Sequence, residues 1–555
     1  MRRPKLLTCG LIVSLGGIYL AFSPVDFWPY VDPKLLFLPV GAVLVWLSGI
    51  RADRRLSIAA GTWVGVCALS AVFGADVRYS LVGTEQIGAG LVLFALCGYL
   101  LAVSAALPAD TVRRIPHWLV NLGLATAGIA LSMRLFGDLL GGAGSSLREN
   151  IPGVEQGSTL GHPLPMIATL AVSLAALLSL RSEMPQVRFF ASLAVLSSGI
   201  GAAGQISSLI IPSVVLLAWI WKSRPDPRQI LAITATVLLV VGTGFLVGRH
   251  SAAGVVAPAV QAGPTGAATQ GTSASDLERL TVWHVGLRAF EKRPALGWGP
   301  ANSGSGFLAA ESADEAAKLV ETRWGDMHNL FVELAVSTGI LGLIAFLYLM
   351  TEVVPGAVKA PADLGWATGG LAAVGTMLLY EPILIPTLAL LAILAGSSVS
   401  SKPTQVRDEP RSEFARAARV GSGAVLAVCL ALSATSAASS AMVFWGVEHD
   451  STSATRFAAA LQPFRQQAQE YYAYQRILDS AKGEDPGGVA QAKLIIDGLV
   501  EQHPWDINVR LGASWTFAQA GDPGGASRLI EEHLARFPAD RDYVMKVLNA
   551  GVPHL

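Results

Sequence analysis

Arg279, Arg288, His328, Asn329 and Glu333 stand in one stretch of an otherwise apolar chain, and their types suit the binding of phosphate oxygens and the movement of a proton. A guanidinium keeps its charge and offers a planar fork to phosphate oxygens, which makes Arg279 the first candidate and Arg288 the second. For Arg288 and Arg293 a solvated, snorkelling position competes with that role. His328, with an ordinary imidazole pKa near 6.5, suits a general base close to neutrality. Asn329 is placed to orient that ring or to hold a hydroxyl. Glu333 follows one turn later inside an apolar helix, where a carboxylate is a functional candidate, here as partner to His328 or Arg279. The helix dipole also tolerates a negative charge near a helix start.

Little else in the sequence offers chemistry. The only Asp-x-Asp pair, Asp540-Arg-Asp542, falls in the distant C-terminal region on what reads as a solvated repeat. Cys9, Cys67, Cys97 and Cys429 all lie in apolar runs, so neither a disulfide framework nor a thiolate metal site is expected. No metal and no cofactor is expected.

The elements that must position these residues are membrane helices. The 555 residues are 52% hydrophobic and 14% charged, against roughly 25% charged in ordinary soluble proteins. Net charge is zero, so nothing advertises nucleic acid. Apolar runs recur near 6–22, 35–50, 56–73, 88–107, 117–136, 163–180, 189–203, 206–221, 230–247, 328–350, 364–380, 383–396 and 420–446, giving about 12 to 13 transmembrane helices of an all-α polytopic protein. The first run follows Arg2, Arg3 and Lys5 as a signal peptide would, but lacks a small-residue cleavage site and is expected to be retained. One alternate set of short loops carries 19 Lys and Arg, and the other only Lys34, Arg78, Arg134 and Arg148. The positive-inside rule then puts the N-terminus in the cytoplasm and the C-terminal tail outside.

The expected divisions are 1–247 for transmembrane helices 1 to 9, 248–327 for a large extracytoplasmic loop, 328–446 for helices 10 to 13, and 447–555 for an extracytoplasmic helical tail. Within the loop, 251–275 is rich in small residues and Pro, and reads as a flexible linker. Ser275-Asp-Leu-Glu278 is a capping-box pattern, and a helix from Asp276 to about Glu291 should follow, stopped by Pro294. The segment 307–324 is helix-prone and acidic, a lid or an exposed amphipathic helix. His162 and Arg148, on another outer loop, could line the same cavity. In the tail, Pro504 and Pro538 recur 34 residues apart, and Gly521, Ala526 and Phe517 fall where a tetratricopeptide unit wants them. Two to two and a half degenerate repeats are expected, with an irregular helical-hairpin domain as the alternative.

Taken together, Arg279-Leu-Thr-Val-Trp283, Pro294-Ala-Leu-Gly297-Trp-Gly299, and His328-Asn329 followed after nine residues by Gly339-Ile-Leu-Gly342 resemble the O-antigen ligase and O-antigen polymerase superfamily. Asp76-Val-Arg-Tyr-Ser80-Leu-Val-Gly83 and Gly157-Ser-Thr-Leu-Gly-His162-Pro163 are weaker echoes. There is one departure: Gly204-Gln205-Ile-Ser207-Ser208 stands where the family commonly has a Ser-Arg pair, which puts a second pyrophosphate-binding arginine in doubt.

The resemblance implies a GT-C-like membrane glycosyltransferase, inverting and metal-independent, acting at the outer face of a bacterial cytoplasmic membrane. Its donor would be a glycan on a polyprenyl (undecaprenyl) pyrophosphate, and its acceptor a hydroxyl on a glycan, lipid or protein. Arg279, seconded by Arg288, would hold the pyrophosphate. His328, with Glu333, would take the acceptor proton, and Asn329 and Trp283 would position substrate. Gly297 and Gly299 would form a turn, and Gly339 and Gly342 would let helices pack closely. Membrane lipids surround such a protein, and the tail could dock a protein partner. A ligase and a polymerase share this motif, with a slight lean to the ligase. A transporter of lipid-linked sugars is the reading from another class, although its polar residues should cluster near the bilayer midplane. A membrane-anchored scaffold would leave the motif idle.

Overall fold

The computed structural model describes residues 3–23, 29–84, 88–136, 158–160, 162–254, 276–319, 325–379, 384–399, 413–463 and 465–549. Among them are 23 α-helices and no strand, so the fold is all-α. In chain order the first ten are α1 (Pro4–Leu20), α2 (Asp32–Leu47), α3 (Arg54–Phe73), α4 (Val77–Val82), α5 (Leu91–Ser104), α6 (Ala109–Phe136), α7 (Pro163–Ser179), α8 (Gln186–Ala202), α9 (Ser207–Ser223) and α10 (Pro227–Gly254). Then come α11 (Asp276–Lys292), α12 (Ser303–Ala310), α13 (Ala313–Lys318), α14 (Leu330–Lys359), α15 (Gly365–Leu378), α16 (Ile385–Val399) and α17 (Glu413–Glu448). The tail holds α18 (Thr452–Leu461), α19 (Gln466–Ala481), α20 (Gly488–Gln502), α21 (Ile507–Gln519), α22 (Pro523–Arg536) and α23 (Arg541–Asn549).

Each of the thirteen apolar runs falls on one helix. Within α3, α6, α10, α14 and α17 lie stretches long and apolar enough to cross a membrane by length and composition. The protein is a polytopic helical membrane protein. Its centre is α7, in which every residue from Pro163 to Leu178 is buried, against α6, α8, α9, α15 and α16. A helix apolar on all sides suits either a lipid-facing span or a core helix, and its burial makes α7 the latter.

One end of the bundle gathers the start of α2, the end of α3, the turn before α7, the segment before α14 and the tail. Tyr19, Lys34 and Thr159 tie this end together. Lys34 Nζ donates to the carbonyls of Ala21 at 2.6 Å and Thr159 at 2.8 Å, and Thr159 Oγ1 donates to the Tyr19 carbonyl at 2.6 Å. The tail is docked there rather than tethered at a distance. Its Arg465 pairs with Asp32 at 2.8 Å, both buried.

Two expectations change. Residues 251–254, placed in a linker by composition, form the last turn of α10; the remainder of that linker and Ser275 lie outside the described residues. Asp540 is buried, not solvated: its carboxylate meets His533 Nε2 at 2.7 Å.

Candidate functional site

The site is built around a break in α14. Gly339 interrupts the helix with φ 67°, ψ −171°, which leaves backbone groups on both sides without helical partners. The Pro294–Gly299 turn supplies them. Trp298 N donates to the Val336 carbonyl at 2.9 Å and Gly299 N to that of Ser337 at 2.8 Å, while Ile340 N donates to the Pro294 carbonyl at 2.8 Å. Ser70 Oγ, from α3, lies 2.6 Å from the Leu296 carbonyl and 2.9 Å from that of Ser337. A Cβ at Gly339 would overlap the Ala295 carbonyl, and one at Gly297 (φ +69°) would overlap that of Val336. Gly342 faces Thr338 of its own helix. Gly297 and Gly339 therefore seat a loop in a broken helix; at Gly339 the close approach is to that loop and not to a second helix.

The break sits about three turns beyond His328 and Asn329. Asn329 caps α14, its Oδ1 accepting from Phe331 N at 3.0 Å and Val332 N at 3.2 Å, and its Nδ2 donates to the Leu379 carbonyl at 2.8 Å. That side chain holds the helix start rather than the His328 ring. His328 precedes it in the left-handed region, φ 47°, a conformation that costs a residue with a Cβ energy and persists only where the surroundings impose it. Here they do. Asp326 Oδ1 accepts from His328 N at 2.8 Å. Met327 is clamped from two sides, its N–H by Glu333 Oε2 at 3.0 Å and its carbonyl by Trp283 Nε1 at 3.1 Å. Glu333 thus holds the loop backbone rather than serving as partner to His328 or Arg279. Trp283 likewise positions the His328 loop.

Trp283 and Gly286 face that loop, since a Cβ on Gly286 would press on the Met327 sulfur. At 3.6 residues per turn Arg279 shares this face. Arg288, nine residues on from Arg279, falls on the opposite one. It is spent on structure: Nη1 donates to Glu315 Oε1 at 2.9 Å, Nη2 meets Glu315 Oε2, and Nε reaches the Ala310 carbonyl at 3.2 Å. The structure brings Arg279 and His328 into electrostatic reach and leaves Arg288 out of that pair. Burial pushes the His328 imidazole below its ordinary range; the carboxylate of Asp326 opposes this and the cation of Arg279 adds to it. His162 caps α7 through Nδ1, which accepts from Leu164 N at 3.3 Å. Burial, and then the neighbouring His328, push it down to about 4. A neutral His328 beside a permanent cation can accept a proton while the cation holds an anion.

Residues 168–347 match the family model described as O-antigen ligase (Wzy_C). Over these residues, about a third of its length, the chain is similar to that family. No curated protein matches the chain. The matched segment runs from α7 into α14 and so includes Arg279, Trp283, the Gly297–Gly299 turn, His328 and Gly339. The match supports a membrane protein of the O-antigen ligase and polymerase type. His162, the elements before α7 and the whole tail lie outside the matched segment. Several residues that hold the site were not found in the sequence: Ser70, Asn302, Asp326 and Gly286. Asn302 Nδ2 donates to the Asp76 carbonyl at 2.9 Å and to Ser80 Oγ at 2.8 Å, locking the Trp298 turn to the loop after α3. Asp326, two residues before His328, was the one with a local signal. Arg148, and the end of the 307–324 segment from 320 on, lie outside the described residues; the rest of that segment forms the end of α12 and α13.

Proposed function

We propose that this protein is an O-antigen ligase-like glycosyltransferase that moves a glycan from a polyprenyl pyrophosphate to an acceptor hydroxyl. The observation that carries the reading is a half-buried His328, held in a left-handed backbone at the mouth of α14 and within electrostatic reach of Arg279. The acceptor hydroxyl attacks the anomeric carbon as His328 takes its proton. The carbon–oxygen bond to pyrophosphate breaks with inversion, and the leaving group departs with the electron pair. Arg279 stabilises that charge without a metal, since a guanidinium binds phosphate oxygens bidentately and never deprotonates. Preorganised charge aimed at a developing anion is commonly the largest catalytic contribution.

The site end of the bundle faces away from the cytoplasm in this reading, because the loops with most Lys and Arg occupy the other end. Residues 1–247 and 328–446 form the membrane part, 248–327 the outer loop, and 447–555 a tetratricopeptide-like tail. Its two helical hairpins, α19–α20 and α21–α22, carry left-handed turn glycines at Gly483 and Gly521. A polymerase that extends lipid-linked repeat units uses the same chemistry.

The test is the size distribution of lipid-linked and acceptor-linked glycan in cells lacking the protein, complemented with wild type or His328→Ala. Long polymer stranded on the carrier identifies a ligase, and single repeat units stranded there identify a polymerase. Full rescue by His328→Ala would overturn the catalytic assignment in favour of a transporter or scaffold.

A further inference from the structure

His162 is half-buried at the start of α7, and its ring Nδ1 accepts from Leu164 N at 3.3 Å. Pro163 and Pro165 bring no N–H, and Met166 N donates to the His162 carbonyl at 3.4 Å. Residues 163–166 therefore leave no amide for a ligand, and the positive end of the helix dipole is presented through the imidazole. That ring has one tautomer open to it. A neutral imidazole carries one donor and one acceptor nitrogen; with Nδ1 accepting, the proton is on Nε2. Nε2–H has no hydrogen-bond partner among the described residues.

Helix packing places this donor at the site. α7 and α15 run antiparallel: a Cβ on Gly369 would meet Ala175, and one on Gly370 would lie beside Val172. Leu379 and His162 lie nine and ten residues from the Gly370–Val172 contact, so at about 1.5 Å per residue the two helix ends come level. The Leu379 carbonyl is the group that accepts from Asn329 Nδ2 at 2.8 Å. His162 thus stands beside the start of α14, and the charge of His328 reaches it.

We propose that His162 is a further substrate-binding residue, which gives a hydrogen bond from Nε2–H to a non-bridging oxygen of the donor's pyrophosphate. A nitrogen that only donates has no use for a cation. The attacking hydroxyl gains nothing from it either, because a donor on its oxygen would draw charge away while His328 takes the proton. A phosphate oxygen gains twice, from the N–H and from the helix end behind it. The Leu164 amide polarises the ring through Nδ1 and strengthens the opposite N–H. Burial, and then His328, push the imidazole pKa down to about 4, so the ring stays neutral and donates a hydrogen bond without giving up its proton. Arg279 supplies the charge, and His162 fixes an orientation. The assignment rests on the glycosyltransferase reading for the identity of its ligand.

Two replacements divide the ring. His162→Asn puts an acceptor near Nδ1 and keeps the helix cap, but its side chain stops short of Nε2. His162→Gln reaches the Nε2 position with an amide N–H and gives up the cap. The probe is inorganic pyrophosphate, titrated by calorimetry into the full-length protein in nanodiscs at a single pH. Wild type should bind it. His162→Asn should bind at least about tenfold more weakly, as for the loss of one hydrogen bond to a charged group, with its melting temperature near wild type. His162→Gln should bind more tightly than His162→Asn although it melts lower. In nitrogen NMR of the histidine-labelled protein, the ring that is missing from both variants should shift at Nε2 rather than Nδ1 when pyrophosphate is added. Wild type that does not bind pyrophosphate, a folded His162→Asn that binds it as wild type does, or a shift at Nδ1 alone would each overturn the assignment. Failure of the enzymatic reading is a separate result, normal transfer by His328→Ala, and leaves the pyrophosphate measurement intact.

Discussion

His328 combines a costly backbone conformation with an imidazole kept neutral, and both bear on a general base. Replacing it with Ala should lower the rate of transfer by about 10²- to 10⁴-fold, the usual contribution of a positioned acid or base, with membrane insertion unchanged by fluorescence-detection chromatography. The pH dependence is more specific. Transfer needs neutral His328, whose pKa lies below its ordinary value, so the rate should rise with pH and reach its plateau below the ordinary imidazole range. Asp326 holds the proton on, so Asp326→Asn, which keeps an acceptor for His328 N, should move that acidic limb to lower pH. Arg279→Gln removes a cation and should move it up while slowing transfer. A limb that ignores both substitutions would show that His328 does not set it. The two arginines separate in the same assay. Arg279→Lys keeps the charge but loses the fork, and should raise the donor KM. Arg288→Gln breaks the Glu315 pair and should lower thermal stability while transfer by the folded fraction stays near wild type.

At the scale of elements, the broken helix carries the proposed base at its start. Gly339→Ala forces a Cβ against the Ala295 carbonyl at φ +67°, so the Pro294–Gly299 turn must leave the break. The expected cost is about 1–3 kcal/mol, read as a lower melting temperature in detergent. Transfer should fall further than stability accounts for, because Glu333, which holds the Met327 amide, lies one turn before the Val336 and Ser337 carbonyls that receive the turn; an unchanged melting temperature would show that the turn relaxes freely. The sequence pattern revealed the thirteen apolar helices because hydropathy over some twenty residues records burial in lipid. It also gave α11 nearly to the residue, since Asp276 and Pro294 are local start and stop signals. It did not reveal the break, which is a single left-handed residue inside an uninterrupted apolar run. Nor did it assign Arg288 to Glu315, 27 residues away, or the Trp283 indole to the Met327 carbonyl, 44 residues away. The motif named the residues of the site, but the partner of each is set by how the loop returns to the break.

For the whole molecule, the question is what a docked tail adds to a membrane enzyme. Its second contact lies on the loop after α3. His503 Nδ1 meets Asp76 Oδ2 at 2.5 Å with both side chains buried, Tyr79 stacks on the His503 ring at 4.7 Å, and Trp505 stands edge-on to Trp298 at 5.5 Å. Arg536 lies 3.9 Å over Trp505 and completes the cluster. Trp298 is the residue whose amide enters the α14 break, and Asp76 accepts from Asn302 through its carbonyl. The tail therefore grips the two segments that brace the His328 loop. The double variant His503→Ala, Trp505→Ala should release it, seen as protease cleavage between α17 and α18 under conditions where wild type is intact. If the tail braces the site, transfer by the released protein should fall at least tenfold with its acidic pH limb shifted, because the surroundings of His328 loosen. If the tail only recruits an acceptor, the acceptor KM should rise while the limb stays in place. A tail that is merely anchored would leave both unchanged, and the buried His503–Asp76 contact would then be without consequence for the site beneath it.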